Sequence, residues 1–342
     1  MSRSAWTFLA VTGIAAAQQA EIQIQPVRGN VYMLVGAGAN IAVSAGRDGV
    51  LMVDTGASNM TDPVLGAIRR LQNAAATNGV ETLHYGAEGR SSLRAITDTD
   101  PPPKPIRYIV NTSLDGDHTG GNEKIAKSGK TFTGGNVAGS LADAAQGAAI
   151  LAHENVLRRM SQGKPALAFG ALPTDTYHIQ SMNLSHYFNG EGVQILHMPA
   201  AHTDGDSIVW FRGSDVVATG DVFTPDRYPV IDLAQGGSLQ GVIDALNRIL
   251  EITVPEFRLE GGTMVIPGHG HLCDAADVAY YRDMATIIRD RIQALIKKDM
   301  SLDQVKAAKP TLDYDGIYGA TAGPWTTTSF IEAAYKSLSG KK

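Results

Sequence analysis

With one cysteine in 342 residues, Cys273, the chain cannot close an intramolecular disulfide or build a cysteine-rich structural zinc site. Long basic runs are missing too: 29 Lys and Arg stand against 34 Asp and Glu, a formal charge of −5. Nothing in that balance suits nucleic acid or an anionic membrane, so neither is expected as a partner. No apolar stretch reaches the roughly 20 residues of a comfortable membrane span, so no integral span is expected in the mature chain. What the chain has in quantity is glycine, 37 residues, which fits many tight strand–loop–helix transitions. At 44% hydrophobic and 18% charged, it can bury a substantial core in one large domain or two.

The first residues read as a secretory signal peptide over 1–17. Arg3 gives a positive start, Ala5 to Ala17 is apolar and small, and Ala15-Ala16-Ala17 offers a cleavage site. A short buried helix or an uncleaved anchor is the competing reading. Export to the periplasm or the medium is the expectation. The oligomeric state is unknown at this stage.

Short strands are predicted over Val31–Val35, Ile41–Ser44 and Val50–Val53, and a helix over Pro63–Leu71 from apolar residues at three- and four-residue spacing. Asn78 to Pro105, ending in three consecutive prolines and then Lys-Pro, reads as a surface insertion. Ile106–Val110 is a buried-strand candidate, Lys130–Thr133 another strand, and Asp143–Met160 an Ala-rich helix that contains His153. Gly163–Tyr177 reads as a loop. Met182–Tyr187 with Val193–His197, and Ser207–Arg212 with Val216–Thr219, read as antiparallel pairs. Leu239–Leu250 follows as a helix and Gly262–Ile266 as the last core strand. Ala275–Lys298 is predicted to bury a stripe of Tyr280, Met284, Ile287, Ile288, Ile292 and Leu295. Ser301–Ala308 and Ser329–Leu338 read as terminal helices.

Several separated segments carry candidate metal ligands. Asn111-Thr-Ser-Leu-Asp-Gly-Asp-His-Thr-Gly-Gly-Asn122 holds Asp115, Asp117 and His118; Pro199-Ala-Ala-His202 holds His202; Ala218-Thr-Gly-Asp221 holds Asp221; and Val265-Ile-Pro-Gly-His269 holds His269. Imidazole and carboxylate on glycine-rich turns suit a divalent cation, whose ligands converge from several elements. A carboxylate or imidazole capping a turn is the competing role for each of them singly. Asp54, Asp204 and Asp206 are candidates for holding ligand histidines by their other ring nitrogen. His271 and Tyr228 are considered as pocket residues, with surface or packing roles the competing reading. Cys273 reads as a small buried residue in the turn after the last strand, although its place four residues after His269 would also let it approach a metal.

In this order the segments resemble the metallo-β-lactamase-fold hydrolases, whose signature T-H-x-H-x-D-H-x-G-G-N is intact here from Asp117 to Asn122, with Ser113 and Asp115 in place of its first two histidines. Gly49-Val-Leu-Met-Val-Asp54-Thr-Gly56 matches the family's strand-and-turn element. The resemblance implies an α/β, four-layer αββα sandwich over residues 21–298, with a C-terminal helical extension over 299–342 on the same domain. It implies one or two Zn²⁺ ions: one at Asp117, His118 and His269, and another near Asp115, His202 and Asp221. The oxygen-rich second set would favour Mn²⁺ or Fe²⁺.

Three outcomes stand open: two metals, one metal at Asp117, His118 and His269, or no catalysis. The expected function is an exported metal-dependent hydrolase, in the glyoxalase II-like or lactonase-like branch. A metal-activated hydroxide would attack an ester, lactone, thioester or amide/lactam bond of a small molecule. Asp117 would be the catalytic residue, orienting the water and managing its proton. By the same resemblance, Asp221 together with Ser113 and Asp115 at the altered first site argues against an efficient β-lactamase without excluding weak lactam cleavage. The alternatives are a non-catalytic or mononuclear metal-binding protein, and a diiron oxidoreductase.

Overall fold

Alternation along the strands decides the architecture. The computed structural model describes residues 21–81, 103–131, 147–253 and 261–340. In the first sheet, β1 (Gln23–Arg28), β2 (Val31–Ala37), β3 (Ala39–Gly46) and β4 (Gly49–Val53) run as an antiparallel meander. To this β5 (Ile106–Val110), β6 (Ala149–His153) and β7 (Asp175–Tyr177) add in parallel, giving seven strands in sequence order. The second sheet contains β8 (Ser181–Phe188), β9 (Glu191–Met198), β10 (Asp206–Phe211), β11 (Val216–Ala218), β12 (Met264–Ile266) and β13 (Cys273–Asp274), in the order β13-β12-β11-β10-β9-β8.

On β4, Leu51 and Val53 point one way and Val50 and Met52 the other, as the two-residue period of a strand requires. The first pair joins Val209, Phe211, Val216 and Ala218 of the second sheet in a core between the sheets. The second pair meets Val64, Leu65 and Ile68 of the helix Thr61–Glu81. On the far side, Val217 and Val265 meet the helices Leu239–Ile252 and Ala275–Ile296. Helix, sheet, sheet and helix therefore form the αββα sandwich expected from the sequence. The helices Leu302–Ala307 and Thr327–Ser339 extend the outer layer, burying Val305, Phe330 and Ala334 in that same core.

Three expectations need correction. Ala149–His153 is a strand, buried between β5 and β7, and the helix starts only at Glu154. An apolar run this short reads equally as buried strand or buried helix, and lateral hydrogen bonding decides it. His153 is the helix N-cap, its Nδ1 accepting from Asn155 N at 3.3 Å. The long C-terminal helix buries Val278, Tyr281, Met284, Ala285, Ile288 and Ile292, whereas Tyr280 and Ile287 are exposed. Its stripe is thus rotated from the predicted one. Finally, the helix from Thr61 continues to Glu81, so it enters the segment read as an insertion.

Gly163–Tyr177 contains a short 3₁₀ turn and β7. Lys130 makes an isolated bridge to Gly147, and the rest of the strand expected to Thr133 lies almost wholly outside the described residues. The proposed signal peptide and most of Asn78–Pro105 lie outside them as well.

Candidate metal centre

The candidate ligands sit on loops at the C-terminal ends of strands from both sheets: β5 leads to Asp115, Asp117 and His118, β9 to His202, β11 to Asp221 and β12 to His269. Such a crevice beyond strand ends is the usual ligand position in α/β folds. The two sheets are tied together there. On β3, the backbone N of Asn40 donates to Gly268 O at 2.8 Å, and its Nδ2 donates to Pro267 O and Gly270 O, each at 3.0 Å.

The signature loop is held from beneath. Asn122 and Asn111 exchange amide hydrogen bonds at 2.9 and 3.1 Å, both side chains fully buried. Thr55 N donates to His118 O at 2.7 Å. Asp54, just past β4, has φ +68, a left-handed conformation that aspartate tolerates better than most residues. It accepts from Thr112 N at 2.8 Å, from Thr112 Oγ1 at 2.6 Å and from His118 Nδ1 at 2.7 Å. Because a carboxylate only accepts, the His118 proton is on Nδ1 and Nε2 faces the crevice.

Three other side chains, Asp221, His269 and Asp117, gather around that nitrogen. His118 Nε2 lies 3.3 Å from Asp221 Oδ1. His269 Nε2 lies 3.4 Å from the same oxygen and 3.3 Å from Asp117 Oδ2. His118 Nε2 and Asp221 Oδ1 are both buried without a hydrogen bond. Buried polar atoms without partners are costly, and a divalent cation between these donors would satisfy both. The residues therefore fit the metal that their chemistry implies. Asp117, His118 and His269 form one group with ligand atoms within 4.8 Å of one another, and Asp115, His202 and Asp221 form a second.

Gly268 makes the convergence possible, since a Cβ there would stand 2.2 Å from Asp221 Oδ1. The acidic and basic groups polarise each other. Burial opposes charge on His118, but Asp221 and Asp54 raise its pKa well above the usual value. Burial likewise works against an ionised Asp221, yet the three histidines hold it far below the carboxylate range. A hydrogen bond from His269 lowers Asp117.

The second group is built differently. His202 Nδ1 donates to Val230 O at 3.0 Å and Nε2 to Asp115 Oδ2 at 2.7 Å. Both nitrogens donate, so this ring is the cation of an ion pair. Burial disfavours that form, but the Asp115 hydrogen bond, with Asp206 and Asp221 nearby, pushes its pKa up to about 10. Ser113 is buried and its Oγ donates to Asp115 Oδ2 at 3.4 Å, so it supports a candidate ligand and is not counted among the ligands itself.

Of the three aspartates considered as ligand supports, only Asp54 touches a ligand ring. Asp204 takes a bidentate ion pair from Arg159, at 3.0 and 2.5 Å. Asp206 caps the turn before β10, accepting from Thr203 N at 2.7 Å, and burial pushes its pKa up to about 6. Tyr228 is not a pocket residue: it stacks on Phe330 at 4.7 Å and donates to Asp315 Oδ1 at 2.8 Å. His271 stands on the rim of a separate cavity. His197 stacks on His153 at 3.6 Å, and His84 lies outside the described residues.

Sequence reasoning missed Thr112, the Val230 carbonyl and Trp325. Trp325, from the C-terminal extension, helps line a cavity of about 370 Å³ with Asp115, His202, Asp221, Val230, Ile231 and Asp232. Only Thr112 carried a signal, as the residue before Ser113 in the signature loop.

Among solved structures, a double mutant of the sec-alkyl sulfatase PisA1 is similar with a TM-score of 0.57 at 15% identity, covering 93% of this chain and 50% of that one. The stereoselective inverting sec-alkylsulfatase Pisa1 from Pseudomonas sp. gives a TM-score of 0.55 at 15% identity, with the same coverage of each chain. The DIM-1 metallo-beta-lactamase gives a TM-score of 0.50 at 15% identity, covering 78% of this chain and 97% of that one. The chain thus spans about half the length of the sulfatases it matches. At such identities the likeness shows the fold alone. No curated protein matches the sequence. The sequence profile of the Metallo-beta-lactamase superfamily matches residues 26–269. With that match over most of its length, the chain belongs to the Metallo-beta-lactamase superfamily.

Proposed function

We propose that this protein is an exported hydrolase that cleaves an ester, lactone, thioester or amide/lactam bond of a small molecule. The observation that carries the reading is the convergence of Asp117, His118, His269 and Asp221, two of whose atoms are buried without hydrogen bonds. Asp117, His118 and His269 would hold one divalent cation, Zn²⁺ by ligand type, with Asp221 shared; Asp115, His202 and Asp221 would hold a second, with Mn²⁺ or Fe²⁺ favoured by its oxygen content. When bound, the metal supplies Lewis acidity and lowers the pKa of a coordinated water.

The chain's own residues do the rest. Asp117, kept ionised by the His269 hydrogen bond, is the group that orients the attacking water and accepts its proton. Asp54 fixes the tautomer and angle of His118, and Val230 O does the same for His202. Ile231, Val230 and Trp325 give the cavity an apolar wall against which the substrate's non-reacting part would pack.

One observation favours a second reading. Asp115 and His202 already pair at 2.7 Å, satisfying each other without an ion. On that reading the centre is mononuclear at Asp117, His118 and His269. A screen of chromogenic ester, lactone, thioester and lactam substrates tests the proposal. Hydrolysis by the purified chain should disappear in Asp117→Ala and in His269→Ala. Activity surviving both substitutions refutes it.

A further inference from the structure

Among the described residues, one more cluster of ligating side chains stands outside the metal centre. His271, Cys273 and Asp277 offer an imidazole, a thiol and a carboxylate whose ligand atoms all lie within 4.8 Å of one another. They are brought together locally and held firmly. Cys273 pairs with Val265 across the β12–β13 ladder. Asp277 belongs to the capping box that starts the following helix: Asp274 Oδ1 accepts from Ala276 N at 2.7 Å, and Asp277 Oδ2 accepts from Asp274 N at 3.0 Å. One carboxylate oxygen is thereby fixed and the other is left to offer.

The Cys273 thiol is buried; it donates weakly to His271 O at 3.2 Å and also pairs with the Asp277 carboxylate. His271 is exposed. With Asp277 it lines a cavity of about 440 Å³ whose walls include Pro225, Tyr280, Tyr314 and Tyr318. The cluster is therefore reachable from solvent through that cavity.

We propose that His271, Cys273 and Asp277 form an accessory site, separate from the metal centre, for a borderline-soft divalent cation of the Zn²⁺ class. Its fourth coordination position faces the tyrosine-lined cavity. In a tetrahedral site with bonds of about 2.0–2.3 Å, ligand atoms stand roughly 3.3–3.8 Å apart. The side chains must close by at most about an ångström, and the exposed His271 has the freedom to supply that movement. Binding releases the Cys273 proton to solvent and leaves a thiolate, so that thiolate and carboxylate together offset the dipositive ion. That charge match matters here, because the positive end of the following helix disfavours a cation unless the ligands are anionic.

Burial and the carboxylates of Asp277 and Asp274 push the thiol up to about 12 in the absence of a cation. The same surroundings attract a metal once one is available, since a bound ion inverts the local preference for protonation. The site is independent of the hydrolase reading, for it shares no residue with the six ligands of the centre.

Because Cys273 is the only cysteine, any sulfur-to-metal charge-transfer band must come from this site. Titrating the metal-free full-length chain with Co²⁺ should give the visible bands of nitrogen- and oxygen-ligated sites and, in addition, an intense near-ultraviolet thiolate band. Cys273→Ser should abolish that band and one equivalent of bound Co²⁺, leaving the visible bands of the centre. His271→Ala should move half-saturation of the band to at least about tenfold higher Co²⁺. No thiolate band at saturating Co²⁺ in the unaltered chain overturns the proposal, as does a band that His271→Ala leaves unmoved. The visible bands report separately whether the metal centre itself forms.

Discussion

Asp54→Asn perturbs the metal centre without replacing a ligand. Asp54 is 1% exposed and accepts three hydrogen bonds, two from Thr112 and one from His118 Nδ1. Asparagine has the same shape and tolerates the left-handed backbone at φ +68, so steric strain is not introduced. It offers only one accepting oxygen where the carboxylate offers two. With that oxygen kept by Thr112 N, the amide NH₂ turns toward Thr112 Oγ1 and His118 Nδ1. His118 then accepts at Nδ1, and its proton moves to Nε2, the atom that a metal needs.

Removing such a support of a ligand histidine typically costs 10–100-fold in metal affinity, about 1.4–2.7 kcal/mol. The mispaired buried groups cost about 1–3 kcal/mol more in folding stability. Competition with a chromogenic chelator measures the first effect, and thermal unfolding of the metal-free chain the second. Metal affinity within about threefold of the unaltered chain, in a variant that still folds, would show that Asp54 does not set the His118 tautomer.

Gly268→Ala should cost about 1–3 kcal/mol of stability and weaken metal binding, because the new Cβ would stand 2.2 Å from Asp221 Oδ1; unchanged melting and metal content would contradict that contact. Metal affinity should fall as pH falls. The folded pKa values of His118 and His202 are raised, so each ring holds a proton more tightly than a free imidazole does, and the cation must compete with it. Zn²⁺ addition in weak buffer should therefore acidify the solution, and no proton release would refute this electrostatic account. Trp325→Ala should raise KM more than it lowers kcat, since the indole lines the cavity beside Asp115, His202 and Asp221 without being a ligand; a pure kcat loss would place it in the chemistry instead.

The layers and the ligand loops were legible because each follows a strand with a marked pattern. Leu51 and Val53 alternating with Val50 and Met52 announce a strand covered on both faces, and Asp54-Thr-Gly56 announces its turn. What stayed hidden depends on neighbours distant in sequence. Ile150, Leu151 and Ala152 become a strand only because β5 and β7 flank them. The rotation of the Ala275–Ile296 stripe is set by packing on Leu239–Ile252 and the C-terminal helices, which local periodicity does not fix. At the centre, ligand types could be read from motif order, but the Asp115–His202 pair joins residues 87 apart in sequence. Asp204 and Asp206 looked equivalent to Asp54 and are not, because Arg159 and Thr203 take them first. Trp325 reaches the cavity from the last segment of the chain, where no motif marks it.

Elemental analysis of the purified full-length chain, after dialysis against trace divalent metal, tests the central claim most directly. At least one tightly held ion per chain is expected, with the ion lost when His118→Ala and His269→Ala are combined. A folded, unaltered chain that retains no divalent metal, or a double variant that retains it in full, would contradict the account.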